Sequence, residues 1–128
     1  MTLSKSILVV EDDPDQAAEM ADALIRAGYA VRTASSGNVA FAELLSVPPP
    51  SLAIVDCHLP DRSGLSIMRL TLGAGGGIPF VLVTGEPELP DGAAGLSNAV
   101  TFWRKPLDMR ALVDLVKSLI GTAVKPAA

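Results

Sequence analysis

Short apolar runs that stop abruptly at a polar residue restrict the fold of this chain more than any other feature. Ile7-Leu8-Val9-Val10 ends in Glu11-Asp12-Asp13, Leu52-Ala53-Ile54-Val55 in Asp56, and Phe80-Val81-Leu82-Val83 in Thr84. Thr101 to Arg104 is followed by Lys105-Pro106, and Ala30 to Ala34 forms a further short run. Runs of this length with no polar alternation read as strands covered on both faces, the habit of parallel sheets. Helical segments lie between them. Asp13-Pro14-Asp15-Gln16 opens one, with Asp as cap, Pro at the first position and Gln three residues after the cap. Ala17, Met20, Ala21, Leu24 and Ile25 then share a face, and Gly28 stops the helix. Ser36-Gly37 starts a second helix to about Leu45, ended by Pro48-Pro49-Pro50. Ser63-Gly64 begins a third, Leu65 to Leu72, which dissolves into glycines. Asp108 caps the last, where Met109, Leu112, Val113, Val116, Leu119 and Ile120 form an apolar stripe.

Alternating strands and helices imply an α/β fold: a doubly wound five-stranded parallel sheet with right-handed crossovers and helices on both faces. At 128 residues the chain is expected to be one domain, residues 1–128, with its core at about 4–121 and a flexible tail at 122–128. No apolar stretch approaches the ~18 residues of a membrane span. The start, Met1-Thr2-Leu3-Ser4-Lys5, runs directly into the first strand and leaves no room for a signal peptide. Cys57 has no second cysteine to pair with, which fits a reducing cytoplasm. A net charge of −4 is the wrong sign for a nucleic-acid surface. Output through protein contacts is therefore expected, without membrane or nucleic acid.

Ligands of such sheets bind at the carboxyl ends of the strands. Glu11, Asp12, Asp56, Thr84 and Lys105 all fall at such ends. Crowded carboxylates raise one another's pKa unless a cation sits among them, so the acids point to a divalent metal site. Asp13 is accounted for as a helix cap.

An acid pair, a lone Asp, a Thr and a Lys-Pro, each at a strand end and in this order, resemble the receiver domain of two-component response regulators. The resemblance covers roughly Ser4 to Gly121 and suggests a stand-alone, CheY-like form. It implies a flavodoxin-like (βα)5 fold with strand order 2-1-3-4-5. It implies Asp56 as phosphoryl acceptor, and Mg²⁺ held by Glu11, Asp12, Asp56 and the backbone carbonyl of His58. Lys105 and Thr84 would contact the phosphoryl oxygens, and Thr84 with Phe102 would form a switch. Phe102 lacks a tyrosine hydroxyl, so its switching would work by burial alone. The peptide before Pro106 is expected to be cis. The implied partners are a histidine kinase or histidine phosphotransfer protein and a downstream protein target, with the domain a monomer or weak homodimer. Such a domain is not a turnover enzyme but promotes its own phosphorylation and dephosphorylation.

Gly85 to Asn98 departs from the family pattern, because two prolines and three glycines undermine a fourth helix, which is expected to be short or irregular. Trp103 alternates to the other face of its strand and should pack under the last helix. Cys57 reads as inert core, and His58 as a residue at the mouth of the site. A small haloacid-dehalogenase-like phosphatase would use Asp13-Pro14-Asp15, but no acid pair follows Lys105. A flavin module would need a phosphate loop where this chain has acids. A receiver excised from a hybrid histidine kinase is the remaining alternative.

Overall fold

The computed structural model describes residues 5–73, 77–85, 100–105 and 108–122. Five strands, β1 (Ser6–Val10), β2 (Ala30–Ala34), β3 (Leu52–Asp56), β4 (Phe80–Thr84) and β5 (Val100–Arg104), form one parallel sheet in the order β2-β1-β3-β4-β5. Four helices are described: α1 (Pro14–Arg26), α2 (Gly37–Leu44), α3 (Gly64–Gly73) and α4 (Met109–Ile120). The expected weak helix in Gly85 to Asn98 falls outside the described residues, apart from Gly85 itself. So do Pro106 and the tail beyond Thr122.

Continuous apolar strands bury both of their faces, and the two faces supply two cores. Leu8, Val10, Ala53, Val55 and Leu82 point to one side, against Ala40 and Leu44 of α2 and Leu65, Ile67 and Met68 of α3. Ile7, Val9, Ile54, Val81 and Val83 point to the other, against Met20 and Leu24 of α1 and Leu112 and Val116 of α4. β3 and β4 are buried along their whole length, because they are interior strands. β2, at the edge, is mostly exposed. On β5, Phe102 packs toward the α2/α3 core and Trp103 toward the α1/α4 core, as alternation requires.

The helix ends follow the local signals. Asp13 accepts from the amides of Asp15 and Gln16, and Asp108 from those of Arg110 and Ala111. Gly28, at φ 100°, makes the left-handed turn out of α1. The far end of α4 is lashed to the opposite edge of the domain: Tyr29 Oη donates to the Gly121 carbonyl at 2.7 Å, and Lys5 Nζ donates to the Ile120 carbonyl. Two apolar-face assignments are corrected. Ile25 is 55% exposed and Leu119 37%, since each lies at the margin of a stripe whose centre already covers the sheet. Leu115 packs against the core instead.

At the start of α3, Gly64 meets the end of β3 so closely that an added Cβ would sit 2.3 Å from the Asp56 carbonyl oxygen. Backbone lies in the way, so no rotamer relieves the clash. At Gly73 an added Cβ meets nothing within 4 Å. Gly64→Ala is therefore expected to lose about 1–3 kcal/mol in urea unfolding, whereas Gly73→Ala should be neutral or stabilising. Equal effects at the two positions would refute the close approach.

Candidate functional site

The sheet delivers its acids to one edge. The β1 ladder continues one residue past the strand, where the Glu11 amide donates to the Ala34 carbonyl. This fixes Glu11 against the sheet, where it is buried, while Asp12 turns outward. Asp56 closes β3 and is 6% exposed. One carboxylate oxygen from each of Glu11, Asp12 and Asp56 lies within 4.8 Å of the other two. Lys105 follows directly on β5. Its amide donates to the Thr84 carbonyl at 2.8 Å, which places the side chain beside the end of β4. Lys105 Nζ then donates to Glu11 Oε1 at 3.2 Å and Asp56 Oδ2 at 3.1 Å. Thr84 is itself buried at the same edge.

Two buried carboxylates served by one lysine leave uncompensated negative charge. Burial first, then the hydrogen bond and charge of Asp56, push the Glu11 carboxyl from its ordinary 4.5 up to about 7, against the opposing pull of Lys105. Burial works against the Lys105 charge, but hydrogen bonds and charges from Asp56 and Glu11 outweigh it and raise its pKa. Cys57, next along the chain, is a buried thiol pushed up to about 11 by burial and by the Asp56 charge.

The donors are three carboxylates, two buried and one open to water, which suits a small hard divalent cation that takes oxygen ligands and retains waters. A cation there would remove the excess charge that Lys105 leaves. His58 enters the site through its amide, which donates to Asp56 Oδ1 at 2.9 Å and fixes the carboxylate orientation. All the strand-end residues read from the sequence thus converge. Phe102 stands two residues before the end of β5, paired with Leu82.

Two contributors escape a reading of local sequence. Gly64 shapes the end of β3, but a lone glycine at a helix start carries no signal of close approach. Asp61 reaches α2, 24 positions earlier in the chain, where it accepts from the Gly37 amide at 2.7 Å and the Asn38 amide at 2.9 Å.

Comparison with known proteins gives a consistent pattern. The family model for the response regulator receiver domain matches residues 7–117. The TorCAD operon transcriptional regulatory protein TorR of Escherichia coli O157:H7 is 34% identical over 115 residues, 89% of this chain and 49% of that protein. The chain thus spans about half the length of such curated relatives. Protein Rrf1 of Nitratidesulfovibrio vulgaris is 34% identical over 121 residues, 93% of this chain and 85% of Rrf1. Among solved structures, the CheY-like receiver domain protein of Methanospirillum hungatei matches with a TM-score of 0.77 at 28% identity, covering 91% of this chain and 93% of that one. The receiver domain of the hybrid histidine kinase CckA matches at 0.73 with 27% identity, covering 90% and 98%.

The raised Glu11 carboxyl has a consequence for stability. Between its ordinary 4.5 and about 7 the folded state holds a proton that the unfolded chain has released. Stability of the metal-free protein therefore falls as pH rises through that window, as far as this group is concerned. Glu11→Gln removes the titration while keeping an oxygen acceptor for Lys105. The melting temperature of the variant, measured in chelator, should gain on wild type steadily from acid to neutral pH. A gap that stays constant would show that Glu11 ionises normally.

Proposed function

The chain belongs to the response regulator receiver domain family, and on that basis we propose that Asp56 accepts a phosphoryl group from a phosphohistidine donor. The donor is a histidine kinase or a histidine phosphotransfer protein, and the phosphorylated domain acts on a protein target. The observation that carries this reading is the convergence of Glu11, Asp12, Asp56 and Lys105 on one sheet edge.

A carboxylate oxygen of Asp56 forms the new P–O bond as the donor P–N bond breaks, and the donor imidazole leaves with the bonding pair. Lys105, already 3.1 Å from Asp56 Oδ2, exchanges this partner for the phosphoryl oxygens. The Thr84 hydroxyl donates to the same group. Glu11, Asp12, Asp56 and the His58 carbonyl would hold Mg²⁺, whose charge would lower the repulsion between carboxylate nucleophile and anionic donor. Water later attacks the acyl phosphate at the same site, so the domain promotes both its own phosphorylation and its dephosphorylation. Movement of Thr84 toward the phosphoryl group lets Phe102 sink further into the α2/α3 core, a switch by burial.

The net charge of −4 supports output through protein rather than nucleic-acid contacts. No helix among the described residues is long and apolar enough to cross a membrane. We place the domain in the cytoplasm as a monomer or weak homodimer.

Incubation with acetyl phosphate and Mg²⁺ should add one phosphoryl group to the intact mass. Asp56→Asn or EDTA should abolish the gain, and Lys105→Ala should slow it by about 100-fold, the scale for losing a charge-stabilising donor. A phosphoryl gain by Asp56→Asn at the wild-type rate would sink the assignment. Presentation to the host's histidine kinases then identifies the partner by the fastest transfer.

A further inference from the structure

The first turn of α2 is capped largely from outside its own helix. Ser36 occupies the cap position, yet its hydroxyl accepts only from the Val39 amide, at 3.3 Å. The two preceding amides, Gly37 and Asn38, would be orphaned at the helix start. Both donate to Asp61, one to each carboxylate oxygen, at 2.7 and 2.9 Å. The Gly37 amide first, then the Asn38 amide and the Arg62 charge, hold the Asp61 carboxyl below the usual carboxylate range. Arg62 adds a second tie, its Nε donating to Asn38 Oδ1 at 3.1 Å. The surfaces meet closely: a Cβ on Gly37 would lie 3.0 Å from Ile67 Cδ1, 3.1 Å from Arg62 Cβ and 3.2 Å from Asp61 Oδ1.

Asp61 lies in the loop that leaves the acceptor strand. Asp56 Oδ1 accepts from the His58 amide, the Leu59 amide donates to the Arg62 carbonyl, and the Gly64 amide donates to the Cys57 carbonyl. His58 and Ser63 form an antiparallel bridge across it. Residues 57–63 are thus a closed loop with an internal ladder, held to β4 at its start by the Cys57 amide on the Val83 carbonyl and to α2 by the Asp61 and Arg62 grip. We propose that Asp61 is a positioning residue for the acceptor site: its bidentate grip on α2 fixes the loop that orients Asp56 and carries His58. Asp61 touches no reacting atom. It acts through the loop, and because the grip is mutual, α2 registers any rearrangement of that loop.

The inference rests on the acceptor reading above, and one set of proteins separates the two. Asp61→Ala, Asp61→Asn and Ser36→Ala are compared with wild type. Ser36→Ala removes a cap from the same helix turn without touching the loop. In metal-free buffer, amide hydrogen exchange should quicken at Gly37, Asn38, His58 and Gly64 in Asp61→Ala. In Ser36→Ala it should quicken in α2 alone. Mg²⁺ affinity by calorimetry should fall about 10-fold in Asp61→Ala, the low end of the loss when a partner behind a metal ligand is removed. Phosphorylation by acetyl phosphate should slow in parallel. Asp61→Asn keeps one acceptor oxygen and should recover part of each, which also secures the test if the alanine variant folds poorly. Unchanged His58 and Gly64 exchange in both Asp61 variants, or an equal loss of Mg²⁺ affinity in Ser36→Ala, overturns the inference. A wild type that takes no phosphoryl group overturns the acceptor reading instead, while the metal-free exchange still decides the role of Asp61.

Discussion

The bridge from Lys105 to Glu11 and Asp56 is the contact on which the rest of the site depends. Two buried carboxylates close together are tolerated only beside a positive charge, and breaking such a pair by removing one partner leaves an uncompensated buried ion. The bridge joins three strands: Glu11 follows β1, Asp56 ends β3 and Lys105 follows β5. It holds the sheet's carboxyl edge together from side to side, across β4. Yet a single lysine serves two carboxylates, and burial first, then Asp56, raises the Glu11 carboxyl despite it. A cation arriving from solution would offset what the lysine leaves.

On the proposed reading, that shortfall would set the ground state apart from a phosphorylated one. In the structure Lys105 faces its own acids, so an incoming anion must compete with them for the ammonium group. A divalent cation among the carboxylates loosens that hold by taking over part of the neutralisation. On the proposed reading, cation and anion would favour each other's arrival, a coupling expressed through one shared lysine.

Much of this was legible in the amino-acid sequence because the signals are local. Four-residue apolar runs bounded by polar residues mark interior strands, and Asp13 with Pro14 marks a helix start whatever the tertiary setting. The acids at strand ends were legible for the same reason: a parallel sheet brings all carboxyl ends to one side, so position along each strand settles position in space. The misses have equally physical causes. Ile25 and Leu119 obey the helical period, but a stripe wider than the contact leaves its margin in water. Asp61 is silent because its partners lie 24 and 23 positions back and are backbone amides, which carry no sequence signature. Gly64 is silent because what matters there is the side chain's absence.

The placement of Cys57 gives the domain an internal gauge. It is the sole thiol of the chain, adjoins Asp56 in sequence, and is 3% exposed. With its pKa pushed to about 11 it is almost wholly protonated at neutral pH, so neither oxidants nor alkylating reagents find a thiolate to attack. Its carbonyl is tied to Gly64 and its amide to Val83, so a reagent reaches the sulfur only when α3 lifts from the end of β3. Modification of this cysteine is then timed by local opening at the end of β3 rather than by chemical reactivity.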